Sequence, residues 1–325
     1  MKILVTGGAG SVGTAIVKDL VDKGIEVLVL DRNKESLTSL EKLPLEVIEG
    51  GIEDLPIVQE AMRGVDAVYH LADTFSSKPH EVLDLDVKGN VNLLETAVAS
   101  GVKHFLFAST HRVYGRSRYS PIDEKHPLNA EESGRALYAI FNLANEKLCL
   151  WYCQERNLAV TVFRFWWSFG HEIGGKALRK LIDTALKGEP IRVPDPAGGS
   201  FLHNNDAALA FHLATLNDKA YGQVFNLASG NFITWRELAE LVCELTDTTS
   251  KIELIHSEKW QGDASIGDDR SIPYTCELDI SKAERFIGYR SKFSNQEFKT
   301  VLKEAVNRLV LARRNVFAEN DQNQS

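Results

Sequence analysis

A chain of 325 residues with 44% hydrophobic side chains has enough apolar material for one large α/β domain or two modest ones, without disulfide staples. Its net charge of -8 gives no basic footprint for nucleic acid or an anionic membrane, which leaves small molecules as the expected ligands. No apolar run reaches the roughly 20 residues of a bilayer span. The cysteines Cys149, Cys153, Cys243 and Cys276 form no CxxC pair, so a soluble cytoplasmic protein with no metal site is expected.

From the first residue, short β-rich runs alternate with helical patterns: "KILVTG", "SVGTAIVKDLVDKG", "IEVLVLD", "LEVIEG", "VDAVYHLA" and "VKHFLFAST". This alternation predicts a parallel sheet with crossover helices, an α/β fold. In the first helix Val12, Ile16, Val17, Leu20 and Val21 share one apolar face, and Gly24 stands where a left-handed cap belongs. Two further helices, "DVKGNVNLLETAVASG" and "ALYAIFNLANEKLCLWY", precede the strand "AVTVFRF". Cys149 and Cys153, four apart on the second of these, read as core thiols. Glycine and proline then become frequent in "GEPIRVPDPAGGS", the composition of loops and short strands. Thr234 with Glu237, and Ser294 with Glu297, have capping-box spacing. The main break falls near residue 168, dividing a wound domain (1–168, with later segments returning to it) from a smaller C-terminal α/β lobe (169–314). A tail, 315–325, is expected to be disordered.

"VTGGAGSVG" lies between the first strand and the first helix, with Gly7, Gly10 and Gly13 at GxxGxxG spacing. Glycines there permit a tight turn and close approach of backbone to a pyrophosphate, and the helix start supplies free N–H groups and a favourable dipole. Asp31 ends the second strand where a carboxylate accepts hydrogen bonds from an adenosine ribose, and would repel a 2′-phosphate, so NAD is expected rather than NADP. Arg32 is the neighbouring contact at the same strand end. The alternative is a glycine-rich turn that merely permits packing.

Together these residues resemble the extended short-chain dehydrogenase/reductases, the NAD-dependent epimerase and dehydratase family that includes UDP-glucose 4-epimerase. "YHLAD", "DVKGNVNLLETAVASGVKHFLFAST", "HRVYG", "PIDEKHPLNA", "LHNNDAALA", "VFNLASG" and "LDISKAERFIGY" follow in the family's order over some 280 residues. The resemblance implies a Rossmann doubly wound sheet in residues 1–168 and a substrate lobe after it. It places Ser11 and Val12 on the pyrophosphate, Ile52 on the adenine, and Leu71 and Ala72 on the far side of the dinucleotide. Asp86 stands where the family usually has asparagine, and Gly51 replaces a common adenine-contacting aspartate. Thr110 matches the catalytic Ser/Thr, Tyr138 the catalytic tyrosine and Glu146 the expected glutamate, which puts Asn142 in the place of the catalytic lysine. A homodimer through the helix from Asp86 and the helix carrying Tyr138 is also implied.

The lost lysine matters because a free phenol titrates near pH 10 and must be acidified to act as a base. A unit charge about 6 Å away at an effective dielectric of about 20 is worth roughly 3 kcal/mol, about two pKa units. Asn142 can still hydrogen-bond a ribose hydroxyl. His111 and Arg112 fill positions that hold an acidic pair in the family's 4,6-dehydratases. Either Arg112 supplies the missing field, or His111 is itself the acid/base, or both are loop residues facing solvent. On the substrate side, Trp166 and Trp167 replace the family's Phe-Asn, and Gly199-Ser200 its Arg-Asp. This points to a narrower, more apolar pocket with Trp166 near the nicotinamide and Trp167 facing substrate; the alternative is that both indoles fill core. Arg164, Arg179 and Arg192 are candidates to restore an anion site. Two functions follow: an NAD-dependent oxidoreductase or epimerase acting on a hydroxyl of a sugar-like or nucleotide-sugar substrate, or a catalytically impaired NAD(H)-binding sensor or scaffold.

Overall fold

A computed structural model describes residues 1–32, 37, 40, 42–171, 173–229, 231–260, 275–293 and 295–322, with side chains as far as residue 316. The first half winds strands and helices alternately: β1 (Lys2–Thr6), α1 (Ser11–Asp22), β2 (Glu26–Asp31), β3 (Glu46–Glu49), α2 (Leu55–Ala61), β4 (Ala67–His70), α3 (Lys88–Ala99), β5 (His104–Thr110), α4 (Ala136–Glu155) and β6 (Val160–Phe165). A π-helical turn, Val82–Val87, leads into α3. Then come β7 (Ser168–Phe169), α5 (Lys176–Leu186), β8 (Ile191–Asp195), β9 (Gly198–Ser200), β10 (Leu202–His203), α6 (Asn204–Ala214) and β11 (Gln223–Leu227). The chain closes with β12 (Phe232–Thr234), α7 (Trp235–Thr246), β13 (Ile252–His256), β14 (Thr275–Cys276), α8 (Ser281–Ile287) and α9 (Asn295–Gln322).

Seven strands form one parallel sheet in the order β11-β6-β5-β4-β1-β2-β3. The order reverses between β1 and β4, and that reversal opens a crevice beyond the strands' carboxyl ends. Both faces are covered, which is why the inner strands read as continuous apolar runs. Ile3 and Val5 point to one side, against Ile16, Val17 and Leu20 of α1 and Phe211 of α6. Leu4 points to the other, against Leu93 and Leu94 of α3 and Cys149 of α4. The α1 face thus packs as its spacing dictates, and Gly24 caps it at φ 70°. This is the Rossmann α/β fold anticipated from the alternation.

A third core holds Phe169, Leu181, Ile191, Phe201, Trp235, Leu238, Phe298 and Leu302, drawn from the segments after β6. The capping box at Thr234 and Glu237 is formed, each backbone N–H bonded to the other's side chain; Ser294 lies outside the described residues. The expected disordered tail needs correction, because α9 continues to Gln322. Phe298, Leu302, Ala305, Val306 and Val310 anchor its buried stripe, and Arg313 makes a bidentate pair with Asp183 at 2.7 and 2.8 Å. Once so nucleated, a helix gains one hydrogen bond per added residue, and the polar tail extends it. Among the described residues no helix is long and apolar enough to cross a membrane.

Candidate active site

At the crevice, the chain leaves β1 through a turn that only glycine can make. Gly7 has φ 70°, and a Cβ there would fall 2.7 Å from the Ala72 nitrogen; a Cβ on Gly13 would fall 2.2 Å from the Gly7 carbonyl. The Gly10 N–H bonds the Gly7 carbonyl, and the Ala9 N–H donates to the Asp31 carboxylate at 3.1 Å. This leaves a cleft of about 290 Å³ lined by Gly7, Gly10, Asp31, Arg32, Ile52, Leu71, Ala72 and Asp86, all of them named from sequence, together with Gly51, Glu53, Asp73 and Phe75. Ser11, Val12 and Gly13 stand behind it in the first turn of α1. There Asn204 donates to both the Ser11 carbonyl and its hydroxyl at 3.0 Å. A cradle that side chains would fill, at a helix start and beside a strand-end carboxylate, fits an adenine dinucleotide.

Tyr138 and Asn142, on α4, meet Asp73 and Asp86 at the inner end of the cleft, where the free space is about 10 Å³, on the order of one water. Asn142 is buried; its amide donates to the Tyr138 carbonyl at 3.0 Å and reaches Asp73 at 3.5 Å. Thr74 donates twice to Asp86, through its N–H at 3.0 Å and its hydroxyl at 2.9 Å. Thr110, at the end of β5, is near enough to Tyr138 to draw its phenol down, the least of the influences on it. Burial pushes the Tyr138 phenol well above its ordinary range; Asp73 adds to this, whereas Arg112 and Arg135 oppose it. Burial likewise raises Asp73, and burial together with the Asp73 charge pushes Asp86 up to about 6. The phenol thus has the Asn142 amide on its own helix, the Asp73 carboxyl working against its ionisation, and the Arg112 and Arg135 guanidinium groups favouring it.

Phe75 covers that inner end. Its ring stacks on Tyr138 with centroids 5.4 Å apart and planes at 18°, its backbone is left-handed at φ 49°, and it is 59% exposed. The Arg135 guanidinium lies over both rings, at 5.2 Å from Tyr138 and 5.9 Å from Phe75, and donates to the Phe75 carbonyl. Sequence reasoning did not single out Asp73, Phe75 or Arg135. The signal for Asp73 was its place just past the tip of β4, one residue beyond Ala72. Phe75 gave none, since a left-handed phenylalanine is not encoded in a pattern.

His111 follows Thr110 in a 3₁₀ turn, in which the Arg112 N–H donates to the Thr110 hydroxyl at 3.3 Å. Burial, then the Arg112 charge, holds the imidazole well below its ordinary pKa. It is therefore neutral at pH 7. Its ring meets Trp166 edge-on at 5.9 Å. Trp166 lies against Gly199, and Trp167 stacks on Phe201 while giving its indole N–H to the Gly174 carbonyl at 3.0 Å. Arg164 is no anion site. It is 3% exposed, paired with the fully buried Glu146 at 2.6 Å and hydrogen-bonded to Tyr114. Arg192 pairs with Glu253.

Fold and cleft together define a dinucleotide-binding α/β protein with a tyrosine at the inner end of its cofactor crevice. The sequence profile of the NAD dependent epimerase/dehydratase family matches residues 3–228, and the chain belongs to that family. NAD is its cofactor. UDP-glucuronic acid decarboxylase 1 of Arabidopsis thaliana is 29% identical, over 99% of this chain and 72% of that protein. The UDP-glucose 4-epimerase of Thermotoga maritima, solved with UDP-glucose, superimposes with a TM-score of 0.73 at 25% identity, covering 98% of this chain and 100% of the other. MoeE5 in its complex with UDP-glucose and NAD gives a TM-score of 0.75 at 25% identity, covering 95% and 99%.

Proposed function

We propose that the protein is an NAD-dependent oxidoreductase or epimerase acting on a hydroxyl of a sugar-like or nucleotide-sugar substrate, with Thr110 and Tyr138 as its proton-handling pair. The observation that carries this is Tyr138 at the inner end of the dinucleotide cleft, with Thr110 at the end of β5 near enough to draw its phenol down. When bound, NAD accepts and returns a hydride. In this reading Asp31 holds the adenosine ribose, and the glycine turn and the start of α1 face the pyrophosphate. Thr110 orients the reacting oxygen, and Tyr138 exchanges its proton. Arg112 and Arg135 take over part of the field that a lysine would supply, since both draw the phenol down. Asn142 positions by hydrogen bonding rather than by charge. His111, held neutral, is not the acid at pH 7.

The nucleotide-sugar class is supported by relatives named for UDP-glucuronic acid and UDP-glucose. The substrate wall differs from the family pattern in one physical respect. Trp166 occupies the space that a side chain at position 199 would need, so the family's arginine and this tryptophan exclude each other. Substrate is therefore gripped here by indole and neutral imidazole rather than by a guanidinium on phosphate.

A second reading, an NAD(H)-binding sensor or scaffold, is favoured by the stacking of Phe75 over Tyr138 and by the acidic surroundings of the phenol. Both readings include a cytoplasmic homodimer, supported by four free thiols and by exposed Leu83, Ile140 and Trp151 beside or on α3 and α4. The deciding experiment titrates NAD and NADH by calorimetry and follows hydride transfer on UDP-sugars, uronic acids and simple alcohols. Turnover abolished by Tyr138→Phe supports the enzyme. Tight binding without turnover, unchanged by Asn142→Lys, establishes the sensor instead.

A further inference from the structure

One carboxylate in the cleft is used neither by the glycine turn nor by the inner end. Glu53 lines the cleft beside Ile52, half-buried, and among the described residues its carboxylate makes no hydrogen bond or ion pair. Its position is unusual. A Cβ built on Gly51 would fall 2.2 Å from both Glu53 carboxylate oxygens, so the carboxylate fills the space that a side chain at residue 51 would take.

The surrounding backbone holds it there. The Gly50 N–H bonds the Asp31 carbonyl at 3.0 Å, which fastens this turn to the tip of β2. From α3, the Asn92 amide donates to both the Ile52 and Glu53 carbonyls at 3.1 Å, and Gly89 lets α3 approach Ile52, a Cβ there falling 2.4 Å from the Ile52 side chain. Asp31, at the tip of β2, and Glu53, in the turn that follows β3, thus present carboxylate acceptors to the same cleft.

We propose that the Glu53 carboxylate reads the exocyclic amino group of the cofactor's adenine, taking the role of a side chain that Gly51 lacks. An ionised carboxylate only accepts hydrogen bonds. Adenine offers it an N–H, whereas hypoxanthine offers a carbonyl oxygen, and two acceptors face to face leave both unpaired. Adenine recognition does not depend on turnover, so a chain without catalysis gives the same result.

The test compares calorimetric affinities for NAD and for nicotinamide hypoxanthine dinucleotide. The full chain is expected to prefer NAD by about tenfold or more. Glu53→Ala brings the preference to within about twofold, through weaker NAD binding and little change for the hypoxanthine analogue. Glu53→Gln, of the same size but with a donor as well as an acceptor, falls between. Gly51→Asp added to Glu53→Ala restores the preference. The proposal is overturned if the unaltered chain does not discriminate, if Glu53→Ala keeps the full preference, or if that variant weakens both dinucleotides equally, since the last outcome means a role in the shape of the turn alone.

Discussion

Trp166 and Gly199 are a steric pair: a Cβ on Gly199 would lie 1.9 Å from Cζ3 of the indole. The glycine on β9 is needed for the space above it, and the tryptophan that uses the space also packs on Phe201 with ring centroids 5.0 Å apart. Gly199→Arg alone should destabilise the fold by about 1–3 kcal/mol, the usual range for an overpacked core. Combined with Trp166→Asn, the same arginine has room, and the double variant should recover more than the sum of the single effects allows. Denaturant unfolding of all four proteins measures the coupling; strict additivity would mean that the two positions do not compete.

The acidic surroundings of Tyr138 set the outcome of placing a lysine at position 142. An ammonium at position 142 should draw the phenol down by about two pKa units, a gain of roughly a hundredfold in phenolate. Asp73, 3.5 Å from the present amide, would pair with that ammonium and blunt the gain. Turnover should therefore rise from the unaltered chain to Asn142→Lys, and again in Asn142→Lys with Asp73→Ala, with Tyr138→Phe silencing each. Steady-state rates across pH 6 to pH 10 give the comparison, and no gain from removing Asp73 counts against its role.

Asp86 makes stability depend on pH. Its carboxyl is pushed up from the ordinary 3.8 to about 6 by burial first and the Asp73 charge second, so the folded state favours the protonated form. That stabilisation is complete below pH 3.8 and is lost as pH rises through about 6. Asp86→Asn has no such loss. The melting temperatures of the two proteins should coincide near pH 4 and separate in favour of the variant above pH 6; a constant offset across this range would show that Asp86 is not the titrating group.

The buried pair of Arg164 and Glu146 predicts a severe effect on stability. Arg164→Met leaves Glu146, which has no exposed surface, without its cation. Breaking such a pair from one side costs about 3–5 kcal/mol. Chemical denaturation should show this, and Arg164→Met with Glu146→Leu should recover most of it.

Much of the wound sheet was legible because its physics is local. Ile3, Val5 and Leu4 alternate as a doubly covered strand must, and Gly7, Gly10 and Gly13 are spaced by a turn that bars side chains. Asp31 was placed by its strand end, and Ile52, Leu71, Ala72 and Asp86, which also line the cleft, by the family resemblance. What escaped was tertiary. Arg164 looked like a free guanidinium because the glutamate that neutralises it lies 18 residues away on another element. The stack of Phe75 on Tyr138 joins residues 63 apart in chain number, through a backbone angle that sequence patterns do not report. The length of α9 was missed because its final turns are extended by helix propagation rather than by an apolar stripe.

The π-helical turn at Val82–Val87 sets the phasing of everything that follows it. It carries Asp86 into the cleft, while Gly89 and Asn92, only three and six residues on, face the turn around Ile52. A π turn closes from residue i to i+5 and so holds one residue more than an α-turn. Deleting a single amino acid from it would let it close as an α-turn with Gly89 and Asn92 still seated on the turn around Ile52, and would draw Asp86 out of its place in the cleft. The looser winding acts as a register spacer, and a shortened chain could keep the acidic group or the helix seat, not both.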